Sequence, residues 1–305
     1  MGDAAHRSHS VGALLPTKDL GDVKVSSGFQ FSQASLQDFV DCPRRFQLRY
    51  LLALQWPAVE AEPIEEHEQR MVLGQAFHRM VQQQLVGLPE KAITRAASDA
   101  DLLRWWQSFL TYRPVASFCG DAADVWVRGE YTLAGEVSGH RLVAKYDVLS
   151  VASTGHIVIL DWKTAMKRTS DDVLRERVQT RVYPFLAVQA GAYLNGGRAI
   201  DPGDVTLVYW FPEAPQSPAR IPYGPEPYAA DGRYLTDLIR QIALTEGDGF
   251  LMTRDESRCR FCVYRSYCDR GSAAGRLDDL TAAWDLGVAP EDIELDFEQI
   301  GEIAF

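Results

Sequence analysis

The sequence contains no apolar run approaching the roughly 20 residues that cross a bilayer. Its first two dozen residues are polar and rich in small side chains, and lack the apolar segment of a secretory signal. Residues 1–27 therefore read as a flexible leader, and the protein as cytoplasmic with no membrane partner. Cysteine is scarce, with five among 305 residues. In a cytoplasmic chain that excludes a disulfide framework and favours metal binding or redox chemistry. Positive charge is also short: the formal net charge is −11, a poor start for any nucleic-acid binder. The deficit is local, however. Residues 277–305 hold nine Asp and Glu and no Lys or Arg, which leaves −2 over residues 1–276. Basic patches can still form on that nearly neutral remainder. The acidic tail reads as a solubilising surface or as a docking segment for a protein partner.

What is present falls into two patterns. The first half is helical. Residues 32–54 carry Leu36, Phe39, Val40, Phe46, Leu48, Tyr50 and Leu51 at helical spacing, with Ser32 or Ser35 as cap and a break or restart at Pro43. A charged stretch over 60–68 precedes a second helix bearing Leu73, Phe77, Met80, Val81 and Leu85, and residues 101–112 form a third. The pattern then turns to strands. Residues 124–133 alternate, with Val125, Val127 and Tyr131 lying among Trp126, Arg128 and Glu130. A turn at Ser138–Gly139 leads to a second run over 142–151, and Gly155 precedes a third over 157–160 that reads as buried on both faces. A helix over 170–194, a strand over 205–211, a Pro-rich loop over 212–227 and an amphipathic helix over 234–244 follow. A helical lead-in, a meander, a crossover helix and a further strand describe an α/β fold with a central mixed sheet flanked by helices.

Two constellations carry chemistry. The third strand ends in Asp161-Trp162-Lys163, and the strand before it carries Asp147. Adjacent strands can bring both carboxylates to one end of the sheet, where they repel unless a cation separates them. Oxygen donors of this kind suit Mg²⁺ or Mn²⁺. The competing reading pairs Asp147 with a lysine or arginine and leaves Lys163 to start a loop; spacing alone does not choose. The second constellation is Cys259-x2-Cys262 with Cys268 six residues on. Three thiolates so close point to a metal site, with Cys42, Cys119 or a histidine as fourth ligand, and zinc and iron–sulfur both remain open.

These segments together resemble the RecB-like branch of the PD-(D/E)XK nuclease superfamily, in particular its iron–sulfur members such as CRISPR-associated RecB-like exonucleases and AddB-type nuclease domains. The resemblance runs from about Ser32 to Asp269. It rests on SQASLQDFVDCPRRFQLRYLL, LGQAFHRMV, Asp147, ILDWKT, VQTRVYPFL and CRFCVYRSYC, in that order. It departs where the family has a glycine before the second-strand acid and this chain has Tyr146. The resemblance implies a restriction-endonuclease-like core within one domain over 28–275. Its helical part would span 28–115, its catalytic core 116–215, and its last helix and cysteine cluster 228–270. It implies His78, Asp147, Asp161 and the Trp162 carbonyl as ligands of one or two divalent ions. Lys163 would position water, with Gln179 and Tyr183 alongside. It also implies Cys42, Cys259, Cys262 and Cys268 as ligands of a structural [4Fe-4S] cluster stapling the N-terminal helix to the C-terminal segment. The activity implied is metal-dependent phosphodiester hydrolysis on single-stranded DNA or DNA ends, in repair or CRISPR-associated settings. Arg168, Arg175, Arg177 and Arg181, flanking Gln179, are the expected DNA contacts. A catalytically silent, nuclease-derived DNA-binding subunit, or zinc at the cysteines, is the alternative.

Overall fold

A computed structural model describes residues 23–54, 62–120, 125–164, 167–260 and 262–271, with backbone alone for 62–68. The leader up to residue 22 and the acidic tail lie outside the described residues. The first strand, β1 (Gln30–Ser32), runs directly into α1 (Gln33–Asp41). Ser32 and Ser35 form a capping box, each hydroxyl accepting the other's amide N–H. The helix stops at Cys42, which is extended, and restarts as α2 (Pro43–Phe46), because a proline cannot donate to the preceding turn. A π-helical turn over Gln47–Leu51 completes the segment. The break expected at Pro43 is present, with Cys42 at the joint, and the segment begins with a strand and ends in a π-helical turn.

Four helices follow: α3 (Glu62–Leu85), α4 (Glu90–Ala96), α5 (Ala100–Tyr112) and α6 (Pro114–Cys119). The expected second helix thus starts inside the charged stretch. Cys119 is buried at the end of α6. A long hairpin comes next, β2 (Val125–Val137) and β3 (His140–Ala152), turning at Ser138–Gly139 with positive φ at both (53° and 77°). Then come β4 (Ile157–Trp162), α7 (Asp171–Glu176), α8 (Val178–Ala190), β5 (Val205–Trp210), β6 (Ala219–Pro222) and α9 (Pro225–Leu244). The helix expected over 170–194 is broken at Arg177, whose ψ of 143° is extended. The expected Pro-rich loop contains β6, a short edge strand of the kind that tolerates flanking prolines.

All six strands form one mixed sheet in the order β1-β3-β4-β5-β6, with β2 on the other side of β3. β4 and β5 are parallel, joined by a crossover through α8. Helices cover both faces. Ile157, Ile159, Leu207 and Tyr209 face one core with α1, α8 and α9, while Leu160, Trp162, Val208 and Trp210 face another with α3 and α5. β4 is buried along its whole length, as expected of a strand covered on two sides.

One edge of β3 is shared. β1 pairs with Arg141–Val143, and β4 pairs with Val148–Val151. Lys145 to Asp147 lie in the interval between them. Alternation also slips there. Leu142, Ala144 and Tyr146 face the α8 side, but so do Leu149 and Val151, while Val148 joins the α3 side. On β2, Tyr131, Leu133 and Val137 lie on the α8 side, as does Trp126. Both strands therefore change phase at the same level, where Glu130 and Asp147 lie between the register pairs Gly129–Val148 and Tyr131–Tyr146.

Candidate active site and cysteine cluster

The acidic pair is assembled from adjacent strands. Asp161 is the penultimate residue of β4, and Asp147 occupies the unpaired interval of β3. An Asp147 carboxylate oxygen accepts the Trp162 amide N–H at 2.7 Å, tying the β3 carboxylate to the end of β4. Both carboxylates are buried, Asp147 at 9% and Asp161 at 3% exposure. Lys163, the first residue beyond β4, is also buried. Its ammonium lies 3.0 Å from Asp161 Oδ2 and donates to Gln179 Oε1 at 2.9 Å, while Gln179 Nε2 donates to Asp161 Oδ1 at 2.7 Å. Gln179, one residue into α8, thus closes a triangle with the two β4 groups. The Lys163–Asp161 approach is a charge contact rather than an aligned hydrogen bond, since Asp161 Oδ2 has no hydrogen-bond partner among the described residues.

Tyr183, four residues along α8, fills the gap between β1 and β4. Its hydroxyl donates to the Lys145 carbonyl at 2.7 Å, and its own carbonyl accepts from the Tyr146 hydroxyl at 2.9 Å. Gln189 and Tyr193, which repeat the spacing of Gln179 and Tyr183 ten residues on, contact the Glu136 carbonyl and the Tyr131 hydroxyl respectively.

His78 reaches the pair from α3. Its Nδ1 lies 3.1 Å from Asp147 Oδ1, and its side chain is 29% exposed. The helix passes close at Gly74, one turn earlier. A Cβ there would stand 2.8 Å from the Thr164 hydroxyl, just past Lys163, so a larger residue requires either α3 or Thr164 to shift.

The electrostatics describe a charge problem without an internal solution. Burial raises Asp161 to about 7, with Asp147 adding to the rise and Lys163 only partly opposing it. Burial would raise Asp147 as well, but the adjacent His78, the Trp162 amide and Lys163 hold it below the usual carboxylate range. Burial disfavours the His78 cation, yet Asp147 outweighs it, with help from Glu130 and Asp161, and pushes His78 up to about 9. A divalent cation is the counter-charge such a set fits, since it would replace the protons on Asp161 and His78.

Glu130 is the residue that the sequence reading left among the outward positions of a strand. Together with His78 and Asp147 it offers three ligand atoms within 4.8 Å of one another. The signal is not in the local sequence, because alternation over 125–131 is ordinary. It lies in the approach of Glu130 to Asp147, which requires the register.

The four arginines expected to face DNA are placed differently from one another. Arg177 is buried at 3% exposure. Arg181 pairs with Asp231 at 2.8 Å and stacks over Tyr234. Arg168 pairs with Asp171 and donates to the Ser217 carbonyl. Arg175 stands farthest into solvent, at 51% side-chain exposure.

Four of the five cysteines lie near one another. Cys42 and Cys262 lie close enough to Cys259 and Cys268 to oppose their ionisation, whereas Cys119 hydrogen-bonds with Ser150 in the α3-side core. Burial raises Cys259 and Cys268 to about 11, and neighbouring thiols add to the rise. A metal held there would relieve that penalty by stabilising thiolates. The Thr253 amide donates to Cys42 Sγ at 3.4 Å. Arg45, half-buried between Asp38 (2.7 Å) and Asp41 (2.7 Å), lies near Cys262. Further contacts dock the C-terminal segment on the N-terminal one: the Arg258–Asp41 ion pair, the Arg44 amide on the Leu251 carbonyl and the Tyr264 hydroxyl on the Leu54 carbonyl.

A sequence model of the PD-(D/E)XK nuclease superfamily matches residues 30–269. No curated protein matches the sequence. Among solved structures the chain is similar to SSO0001, at 15% identity with a TM-score of 0.35, over 81% of this chain and 87% of that one. It is similar also to a candidate exonuclease from Eubacterium rectale, at 10% identity with a TM-score of 0.44, over 70% and 79% respectively.

Proposed function

This chain belongs to the PD-(D/E)XK nuclease superfamily, and on that premise we propose that it is an Mg²⁺- or Mn²⁺-dependent deoxyribonuclease acting as an exonuclease on single-stranded DNA or DNA ends. The observation that carries the reading is the closed set of Asp147, Asp161, Lys163 and Gln179 at one end of the sheet. Asp147 and Asp161, with His78 and the Trp162 carbonyl, would hold one or two divalent ions, which would supply Lewis-acid stabilisation of charge building on a phosphate. Lys163 has the place of a water-orienting group. Gln179 fixes its ammonium against Asp161, and burial denies it competing solvent. Tyr183 holds the β3 backbone beside Asp147 through Lys145. Asp147 and Asp161 crowd buried charge in a way that a purely DNA-binding module has no physical reason to keep.

The same proposal gives Cys42, Cys259, Cys262 and Cys268 a [4Fe-4S] cluster. The donor set fits: four neighbouring thiols, an amide N–H on one sulfur and a half-buried arginine near another. Its role is structural, since hydrolysis moves no electrons.

Degradation of end-labelled single- and double-stranded DNA with Mg²⁺ or Mn²⁺ tests the activity. Wild type should shorten labelled ends, and Asp161→Ala should lose at least a thousandfold of the rate while remaining folded; persistent cleavage by Asp161→Ala would refute it. Iron and acid-labile sulfide in anaerobically purified protein test the cluster, and a colourless, zinc-loaded preparation would replace it with zinc.

A further inference from the structure

We propose that Glu130 completes a second divalent-cation position, His78–Glu130–Asp147, adjoining the Asp147–Asp161 position and sharing Asp147 with it. The inference rests on the nuclease reading and adds a ligand that the acidic motif does not contain.

Three observations converge. First, an imidazole and two carboxylates, from α3, β2 and β3, bring ligand atoms within 4.8 Å of one another. Second, Glu130 and Asp147 are opposite each other across the hairpin, between the pairs Gly129–Val148 and Tyr131–Tyr146. Like charges directly opposed on a strand pair are destabilising. Lys145 offsets part of this at 2.8 Å from Glu130, but it is about half exposed and its charge is shared with solvent. Third, both strands slip phase at this level, and Glu130 has a φ of 53°, the left-handed region that a glutamate rarely occupies. The strain lets adjacent residues leave the pleat on the α3 side, toward His78. A cation there would offset both the opposed charges and the strained backbone.

The donor set indicates the metal. An imidazole beside two carboxylates favours Mn²⁺ over Mg²⁺, which prefers all-oxygen surroundings. Asp147 is the shared ligand: one oxygen meets His78, and the other holds the Trp162 amide beside Asp161.

The test is a count of Mn²⁺ on protein with its cysteine-bound metal in place, by titration calorimetry and by EPR of unbound Mn²⁺. Wild type is expected to take up two ions. Glu130→Gln and Glu130→Gly should take up one. Glycine suits a φ of 53°, so Glu130→Gly should fold even where Glu130→Gln does not, and its metal-free melting temperature should equal or exceed that of wild type. Two ions in a folded Glu130 variant, or a single ion in wild type, would overturn the second position while leaving the nuclease reading standing. No ion in wild type would overturn both.

Discussion

Asp161 shows at a single residue how catalytic placement opposes stability. Its folded pKa of about 7 lies above the roughly 3.9 of an unfolded aspartate. Between these values the folded chain holds a proton that the unfolded chain has released. The stabilising contribution is therefore full below about pH 4 and is lost as pH rises through 7. With EDTA present, Asp161→Asn should melt above wild type at pH 8, with the gap shrinking toward pH 4, while cleavage is abolished. Scanning calorimetry across that range checks the sign, and equal melting temperatures at pH 8 would contradict it. The residue level is also where the sequence is least readable. Asp161 and Lys163 stand out because they leave an apolar strand end, and Gln179 and Tyr183 take meaning only beside a known family pattern. Glu130 has no local mark, since its importance depends on which residue faces it across the hairpin.

Elements were easier to see, and their errors have physical causes. β4 is legible because burial on both faces demands a continuous apolar run. The capping serines and the restart at Pro43 follow from hydrogen-bonding rules. The break at Arg177 was invisible because apolar spacing continues through it from Leu174 to Val178 and Val182, and only the extended backbone separates the two helices. β6 was hidden because an edge strand needs only a few residues and admits proline. The contact between α3 and the loop after β4 yields a prediction. Gly74→Ala would place a Cβ against the Thr164 hydroxyl, displacing His78 relative to Lys163 by a few tenths of an ångström. Activity should fall about tenfold, equivalent to about 1.4 kcal/mol of barrier, with the melting temperature changing by only a few degrees. Steady-state kinetics beside a thermal melt would show it; unchanged kcat would mean that Thr164 simply rotates away.

At the scale of the molecule, two distant stretches of chain share one structural burden. Asp41 is buried between Arg45 and Arg258, and its burial outweighs their attraction, raising its pKa. Through Gln37, whose amide donates to Asp41 and whose carbonyl accepts the Val178 N–H, the same group reaches the start of α8, one residue before Gln179. Arg258→Ala should destabilise by about 1–3 kcal/mol, less than for a wholly buried pair because Arg45 remains and Arg258 is partly exposed. Limited proteolysis should then cut first within residues 250–271. A cleavage pattern identical to wild type would show that the ion pair does not hold the segment.

The joint at Cys42 also has a consequence in time. On a ribosome, Cys42 and α1 emerge more than two hundred residues before Cys259. At about 5–20 residues per second, that interval is roughly 10–40 s. The sheet and the acidic centre can form within it, but the surface around Asp38, Asp41 and Cys42 must wait, partly uncovered, for the last part of the domain. A nascent chain is therefore open to thiol oxidation and adventitious metals at Cys42 throughout its synthesis, and how fast the C-terminal segment arrives sets how many molecules are completed intact.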